Sequence, residues 1–396
     1  MTKNDDKCVP ALRFKGFNND WAQHKLGDIA QRKNKTSDCS KLPNVSYEDI
    51  SPNIGTLNKS VNKLSTGKKG ILFKKDDVLF GKLRPYLNNY LFADFTGIAI
   101  GDFWVLNHKE APQFLFYLIQ SPKFRYISNI SSGSKMPRSD WNLVSNYKFN
   151  VPAVFEQTNI GKTLKLIDTL ITLQQRKLQQ LKLLKKAMLQ DLFTDKKVPK
   201  LRFSGFKENW IQCKLGEIVK VIGGGTPSTK NPKYWNGQIN WYSPNEIGSS
   251  IFVNSSKKKI TSEGLKHSSA KLLPGNKTIL FTSRAGIGDM AIMTSDGTTN
   301  QGFQSWIVDS KDTDIYFLYT LGFKLKRQSL RKASGSTFLE ISNSEVKQLK
   351  LTVPSIEEQE LIGLIVQKMD RLIVIQQKEF NKLESLKKFL LQNMFI

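Results

Sequence analysis

The sequence is poor in the residues that build metal centres and disulfide frameworks. It has 3 cysteines and 3 histidines among 396 residues. Cys8, Cys39 and Cys213 are odd in number and unclustered, which argues against disulfides and against a zinc site, and indicates a reducing cytoplasm. The histidines lie far apart in the chain. A metal-centred or histidine-driven catalyst is therefore disfavoured.

Long hydrophobic runs and acidic residues are also scarce. No apolar run reaches the roughly 18 residues of a membrane span, and the N-terminal residues are too polar for a signal peptide. The 34 acidic residues face 60 Lys plus Arg, for a formal net charge of +26. Such an excess indicates a polyanionic partner, and without a membrane segment nucleic acid is favoured. A hydrophobic content of 39% is enough for folded domains.

Motifs that would carry chemistry are incomplete. The glycine-rich stretch 223–230 lacks the Gly-Lys-Ser/Thr ending of a phosphate loop. Residues 231–234 read Asn-Pro-Lys-Tyr, which departs at the third position from the Asn-Pro-Pro-Tyr/Phe tetrapeptide of adenine methyltransferases. Glu345 and Lys347 form half of a nuclease signature without a partner acid. No nucleophile elbow is present either, so the sequence predicts no active site.

Two segments of the chain are duplicated, and the copies interleave. Residues 9–31 match 198–220 at 13 of 23 positions, and residues 151–193 match 353–395 at 18 of 43. The chain therefore consists of two half-units with unlike sequences between the repeated parts. We divide it into a first body at 1–150, a first spacer helix at 151–197, a second body at 198–352 and a second spacer helix at 353–396. A frame repeated around two different bodies suggests a protein that reads two different things at a set separation.

Both bodies are predicted to be α+β with a twisted mixed sheet. In the first, β-type runs at 70–73, 77–80 and 98–106 precede a helical run at 111–130. In the second, strands are predicted at 278–282 and 304–308 and a helix at 314–333. A last strand then precedes each spacer helix, at 147–151 and 348–353.

The spacer segments show heptad spacing typical of a coiled coil. One seam in the first copy contains Leu164, Ile171, Leu178 and Lys185, and the second copy repeats it from Val366 to Lys387. If each helix connects the two bodies, the pair must be antiparallel and the halves related by a pseudo-two-fold axis. Gln174 and Gln376 occupy matching seam positions, where they either set the helix register or lie in water at the edge.

Further apolar residues lie outside the seam, and one helix cannot cover so wide a stripe. We therefore expect a partner protein on these helices. The predicted partner-binding residues are Leu170, Leu173, Leu184, Leu189, Leu372, Ile375, Leu386 and Leu391.

Candidate DNA-binding residues follow strands or lie in polar loops. Arg84 and Arg284 occupy similar places after a strand, and arginine suits bidentate contacts with guanine or phosphate. Any single basic residue is more often a solvated surface cation, and it is the collective excess of positive charge that supports DNA binding. For Tyr86 and Tyr234 a core position is the stronger alternative. The candidates are Lys82, Arg84, Tyr86, Ser134, Lys135 and Arg138 in the first body, and Thr226, Ser228, Lys230, Tyr234, Ser283, Arg284, Gln301, Ser336 and Thr337 in the second.

The duplicated helix openings at 152–161 and 354–363, with the strings at 83–106, 223–247 and 283–292, resemble the specificity subunits of type I restriction–modification enzymes. The resemblance covers essentially the whole chain. It implies that each body is a target-recognition domain for one half of an asymmetric bipartite DNA site. It also implies that the helices act as a ruler and dock two methyltransferase subunits, which motor–endonuclease subunits join.

By the same resemblance this chain is not an enzyme and binds no cofactor. S-adenosylmethionine, ATP and magnesium would be bound only by its partners. A stand-alone bivalent DNA-binding regulator is the alternative; an autonomous nuclease or methyltransferase is disfavoured by the missing motifs.

Overall fold

A computed structural model describes residues 9–130, 136–193, 196–335 and 339–396. The chain forms two compact units. Unit 1 contains the residues up to Arg176 together with Gln377–Ile396, and unit 2 contains Lys177–Gln376. Each unit holds one body and a part of both long helices. The predicted division of the chain into bodies and spacers is a division by role and stays a prediction.

Among its described residues, unit 1 builds its body from short strands and four short helices before the first long helix. Two four-stranded sheets have the orders β3-β7-β10-β4 and β2-β11-β8-β9, and β1-β12 and β5-β6 pair separately. The elements are β1 (Ala22–Lys25), α1 (Leu26–Ile29), β2 (Gln31–Lys33), β3 (Thr36–Ser37), β4 (Asn44–Val45), β5 (Ile50–Ser51), β6 (Thr56–Leu57), β7 (Gly70–Phe73), β8 (Val78–Gly81), β9 (Tyr90–Phe92), β10 (Gly97–Ala99), β11 (Phe103–Asn107), α2 (Pro112–Leu118), α3 (Pro122–Ser128), α4 (Trp141–Asn146), β12 (Lys148–Val151) and α5 (Val154–Leu192).

Side-chain alternation along β8 and β11 explains how unit 1 buries two cores. Phe80 and Trp104 lie stacked in the core that includes the helices α2 and α3. Leu79 and Val105, one residue along each strand, lie in a second core with the residues of β4 and β7. Because successive side chains of a strand point to opposite faces, a sheet that is apolar at every position is buried on both sides.

Unit 2 begins with the same strand–helix–strand and ends with the same three short helices, strand and long helix as unit 1, but the elements between them and the sheets differ. A five-stranded sheet has the order β14-β21-β18-β19-β16, a three-stranded sheet has β17-β15-β20, and β13-β22 pair separately. The elements are β13 (Ile211–Lys214), α6 (Leu215–Ile218), β14 (Val219–Gly223), β15 (Trp235–Tyr242), β16 (Phe252–Val253), β17 (Lys258–Ile260), α7 (Ser262–Lys266), β18 (Thr278–Phe281), β19 (Met290–Met293), β20 (Gly297–Thr299), β21 (Gln304–Val308), α8 (Ile315–Thr320), α9 (Gly322–Lys332), α10 (Asn343–Lys347), β22 (Lys350–Val353) and α11 (Ile356–Asn393).

The α+β class with mixed sheets is confirmed, because β4-β10, β15-β20 and β16-β19 are parallel among antiparallel pairs. Three predicted continuous elements are wrong. The strand at 98–106 is broken at Gly101, which has a φ of 94°, and its two parts β10 and β11 belong to different sheets. The helix at 111–130 is two helices, since Pro122 begins α3 after the cap at Ser121. The helix at 314–333 likewise divides into α8 and α9.

The long helices α5 and α11 have 39 and 38 residues and pack antiparallel within each unit. In unit 1, Asp168 near the start of α5 contacts Lys387 near the end of α11. In unit 2, Lys185 near the end of α5 contacts Asp370 near the start of α11. The apolar seam residues are buried or half-buried, in line with the heptad spacing. Gln174 and Gln376 are half-buried.

Candidate DNA interface and repeated frame

An ion pair between an arginine and a buried glutamate joins each repeated N-terminal segment to its long helix. In unit 1, Nε and Nη2 of Arg13 donate to the two carboxylate oxygens of Glu156, both at 2.8 Å. In unit 2, Arg202 makes the same bidentate contact with Glu358 at 2.8 Å. The hydrogen bond from each guanidinium to its glutamate raises the arginine pKa. The repeated Arg and Glu positions therefore form one structural feature twice.

The other repeated letters of the helix openings also have structural roles. The side-chain amide of Gln157 donates to the carbonyl of Pro152 at 2.8 Å, and Gln359 repeats this contact with Pro354 at 3.0 Å. A Cβ on Gly161 would lie 2.7 Å from the backbone nitrogen of Phe114 at the start of α2. One on Gly363 would lie 2.3 Å from the Asp314 carboxylate, which caps α8. These glycines let each body approach its helix closely.

Three predicted DNA-binding residues of the first body lie together. The backbone nitrogen of Arg84 donates to Pro137 O at 2.8 Å, and an isolated bridge pairs Leu83 with Arg138. Arg84 is exposed and has a left-handed backbone, with φ 49° and ψ 60°. Lys82 and Arg138 both reach Asp102, at 3.4 and 3.1 Å.

Asp102 was not singled out from the sequence, yet it sits between two of the predicted cations. Burial acts to raise the pKa of its carboxyl, but the hydrogen bonds and charges of Arg138 and Lys82 outweigh burial and lower it. The carboxylate therefore holds both side chains and offsets one of their charges. Its signal in the sequence is weak, since it is one acid in a turn between two strands.

Tyr86 is 54% exposed, so a core position for it is wrong. It belongs to a 3-10 turn at Pro85–Leu87 that directly follows Arg84. Its ring is therefore available next to the basic residues. Ser134 and Lys135 lie outside the described residues.

The second body brings a corresponding group together. Arg284 is exposed and pairs with Glu340 at 2.8 Å. Thr226 hydrogen-bonds Gln301, and the backbone of Ser283 donates to the neighbouring Gly302 at 2.8 Å. The three segments that contain Thr226, Arg284 and Gln301 are thus linked directly.

Ser283 is a correction. Its exposed fraction is 0%, and its buried Oγ has no hydrogen-bond partner among the residues that the structure describes, so it does not face solvent as predicted. Ser283 lies two residues after β18, whose four residues are all buried, and its carbonyl accepts a 3.2 Å hydrogen bond from the backbone nitrogen of Ile341, which lies against this segment. Ser336 and Thr337 lie outside the described residues.

The remaining candidates of the second body belong to the loop before β15. Ser228 and Lys230 are exposed, and the Ser228 carbonyl accepts a 3.1 Å bond from the indole of Trp235. Tyr234 is half-buried, with its ring stacked 5.6 Å from that of His267. Both of these candidate side chains are therefore exposed in a loop that also contains the stacked ring of Tyr234.

Six of the eight predicted partner-binding residues are exposed. Leu170, Leu173, Leu184, Leu372, Ile375 and Leu386 have exposed fractions of 41–56%. Leu189 is half-buried against the unit 2 core. Leu391 is wrong as an outer residue, because it is 8% exposed and packs in the unit 1 core. The end of α11 is covered there by the body, which heptad counting does not show.

A cleft of about 620 Å³ lies in unit 1 between the body and parts of both long helices. Tyr90, Phe116, Arg125 and Lys387 contribute to its lining. Its volume lies within the range of pockets that take small molecules. Unit 1 therefore has a concave surface in addition to the exposed leucines of its helices.

The parts of the chain that the structure describes contain no helix long and apolar enough to cross a membrane. Within the same residues, His, Cys, Asp and Glu form no group that would hold a metal ion.

These features define a duplicated protein in which one helical frame holds two unlike bodies. The type I restriction modification DNA specificity domain matches residues 18–183 and 207–385. The chain belongs to this family.

Two curated relatives and one solved structure illustrate the match. The MjaIX type I restriction enzyme specificity subunit of Methanocaldococcus jannaschii is 36% identical over 192 residues, 48% of this chain and 44% of the relative. The HindI specificity subunit of Haemophilus influenzae is 22% identical over 421 residues, 85% of this chain and 90% of the relative. At 35 and 36% identity, matches span less than half of the relatives' length. The type I restriction–modification S subunit from M. genitalium shares the fold, with a TM-score of 0.63, 15% identity, and coverage of 98 and 99% of the two chains.

Proposed function

We propose that this chain is the specificity subunit of a type I restriction–modification complex, in which each body reads one half of an asymmetric bipartite DNA site. One observation carries the proposal. The same frame, with its arginine–glutamate pair and helix opening, occurs twice, around bodies whose sheets differ. A frame that is the same in both halves of the chain, around two bodies that differ, fits a protein that reads two unlike half-sites. Homodimeric readers instead bind palindromes.

The charge distribution supports DNA as the ligand. The formal charge is +26, and exposed Arg84 and Arg284 lie in corresponding loops. Arginine in the major groove reads guanine through two parallel hydrogen bonds, and phosphate contacts release counterions. Binding by the assembled complex should therefore weaken steeply as salt rises.

The long helices are proposed to dock two methyltransferase subunits, with motor–endonuclease subunits completing the complex in the cytoplasm. Their exposed leucines form an apolar surface of a kind that marks protein interfaces. In this proposal the chain contributes specificity only, and S-adenosylmethionine, ATP and magnesium are bound by its partners. Leu173→Lys should reduce co-purification with a methyltransferase subunit. Val61→Lys, at a 38% exposed site in the first body, is the control.

A body exchange tests the proposal most directly. Residues 221–350 are replaced by the corresponding body of a relative, and adenine methylation is mapped across the genome of cells that express the complex. One half of the methylated motif should change while the other half and the spacing persist. Loss or change of both halves would contradict the two-reader proposal.

Single substitutions sharpen this experiment, because the two bodies serve as controls for each other. Arg84→Gln should relax or weaken recognition of one half-site, and Arg284→Gln that of the other. Loss of a bidentate arginine contact corresponds to about 1–3 kcal/mol of discrimination. If both variants affected the same half-site, the assignment of one body to each half would be refuted.

A further inference from the structure

A tyrosine, an aspartate and a lysine from three separate elements form a network in unit 1. The hydroxyl of Tyr117 in α2 donates to Oδ2 of Asp168 in α5 at 2.7 Å. Nζ of Lys387 in α11 lies 2.7 Å from Oδ1 of the same carboxylate. Lys387 also lies over the Tyr117 ring, 5.8 Å from its centre. One carboxylate thus joins the body to both long helices.

Unit 2 contains the same network. Tyr316 in α8 donates to Oδ2 of Asp370 in α11 at 2.9 Å. Lys185 in α5 bonds Oδ1 of that carboxylate. Asp168 corresponds to Asp370 in the duplicated segment, and the two lysines also correspond. Both networks therefore use the same positions of the repeat, although the bodies that supply the tyrosines otherwise differ.

Both networks are largely shielded from water. The Asp168 and Lys387 side chains are 20 and 14% exposed, and those of Asp370 and Lys185 are 10 and 25% exposed. Burial and the neighbouring carboxylate raise the pKa of Tyr117, so its hydroxyl remains a donor. A shielded carboxylate that lost its partners would be costly to keep in place. The tyrosine, aspartate and lysine of each network therefore favour the one arrangement in which the carboxylate keeps both of its partners.

The tyrosine bond and the lysine bond of each network have separable effects. The tyrosine binds the aspartate of the long helix that follows its own body in the chain. The lysine comes from the other long helix and occupies a seam position, where an apolar residue would be the usual choice. The tyrosine bond therefore attaches a body to its helix, whereas the lysine bond selects the register between the helices.

Register matters because apolar heptad seams repeat. A slip of one heptad would move one helix along the other by about 10.5 Å while apolar residues still met apolar residues. That distance is about three base-pair steps of DNA. A buried polar contact removes this freedom, since a slipped lysine would leave its carboxylate unpaired.

We propose that the networks Tyr117–Asp168–Lys387 and Tyr316–Asp370–Lys185 are positioning devices that set the helix register and thereby the spacing allowed between the two DNA half-sites. The inference rests on the proposed bipartite reading. In this proposal, the spacing between the two half-sites depends on the two lysine–aspartate contacts as well as on the length of the helices.

The test uses the full complex with its methyltransferase partners. Lys185→Met and Lys387→Met are made singly and together, and each complex methylates a plasmid library in which the spacer is shortened or lengthened by up to three base pairs. The double variant should methylate altered spacings, and its preference for the native spacing should fall by about tenfold or more, since the loss of one charged hydrogen bond alone corresponds to about tenfold. The half-site sequences should not change.

Two sets of variants control for general damage. Lys382→Met removes an exposed pair with Glu379 on the same helix and should leave the spacing preference intact. Arginine in place of both seam lysines keeps the charge and should retain most of the preference. Tyr117→Phe and Tyr316→Phe, which leave the lysine contacts in place, provide milder variants and should change spacing less than the lysine variants.

The outcomes separate the two proposals. If the methionine variants, or the single lysine variants should the double one not fold, lose stability or activity equally at all spacings, the residues are structural only and this inference is overturned. A wild-type complex that methylates no bipartite site would overturn the proposed function, and the inference with it.

Discussion

Replacing Arg13 by methionine should destabilise unit 1 by about 2–4 kcal/mol. The substitution keeps a long aliphatic side chain but removes both hydrogen bonds to Glu156, which are 2.8 Å long. The Glu156 carboxylate is left in a site where its side chain is 2% exposed.

The magnitude follows from this burial. Removing one partner of a fully buried ion pair costs about 3–5 kcal/mol, chiefly because the remaining charge is uncompensated. The Arg13 side chain is 14% exposed, so water reaches part of the site and the expected loss falls to about 2–4 kcal/mol. Changing Glu156 to leucine in the R13M background should recover a portion of the loss, since no buried charge then remains.

The assay is denaturant unfolding of the four proteins of the Arg13–Glu156 double-mutant cycle, with hydrogen exchange used to locate the loss. Exchange should rise in unit 1 for R13M. The matched variant Arg202→Met removes the equivalent contact with Glu358 and should raise exchange in unit 2.

A loss below about 0.5 kcal/mol for R13M, within the range of ordinary surface substitutions, would refute the argument from burial. A coupling energy near zero would show that the pair does not act as a unit. In either case another reason would be needed for the repetition of these two positions in both halves.

Three further predictions concern the frame and the first body. Gly363→Ala should destabilise unit 2 by about 1–3 kcal/mol in chemical unfolding, because the added Cβ would lie 2.3 Å from the Asp314 carboxylate; no loss would contradict the close approach. Asp102→Asn should strengthen and steepen salt-dependent DNA binding by the complex, measured by titration, since Lys82 and Arg138 lose a competing carboxylate. The pKa of Asp102 is lowered in the folded protein, so the stabilisation that its ion pairs provide is present above the ordinary carboxyl pKa and is lost as pH falls through the folded value. In acid unfolding, D102N should therefore lose less stability than the wild type as the pH falls. A D102N curve of stability against pH identical to the wild-type curve would contradict the pairing.

Local patterns predicted much of the fold. The strands at 70–73 and 304–308 have the predicted bounds, and both long helices occupy the heptad segments. The single helix expected at 111–130 failed because Pro122 favours a helix start over continuation. In each of these cases the outcome depended on residues that are close together in the sequence.

The site was less accessible to sequence reasoning. Arg84 and Arg138 were named separately, and the structure shows that their segments pair. Ser283 and Leu391 were expected outside and lie inside, because another part of the chain covers each of them. Asp102 gave no signal, since an acid in a turn is common and only its neighbours in space give it a role.

By itself the sequence determined the duplicated frame, the α+β class, the heptad seam and the strong positive charge. All four follow from composition and from periodicity along the chain. Only the tertiary structure decided which charges meet: Arg13 with Glu156, 143 residues away, and Lys185 with Asp370, 185 residues away. The physical reason is that apolar periodicity is a property of each segment alone. A buried ion pair depends on where two distant segments come together, and on how much water the packing around them excludes.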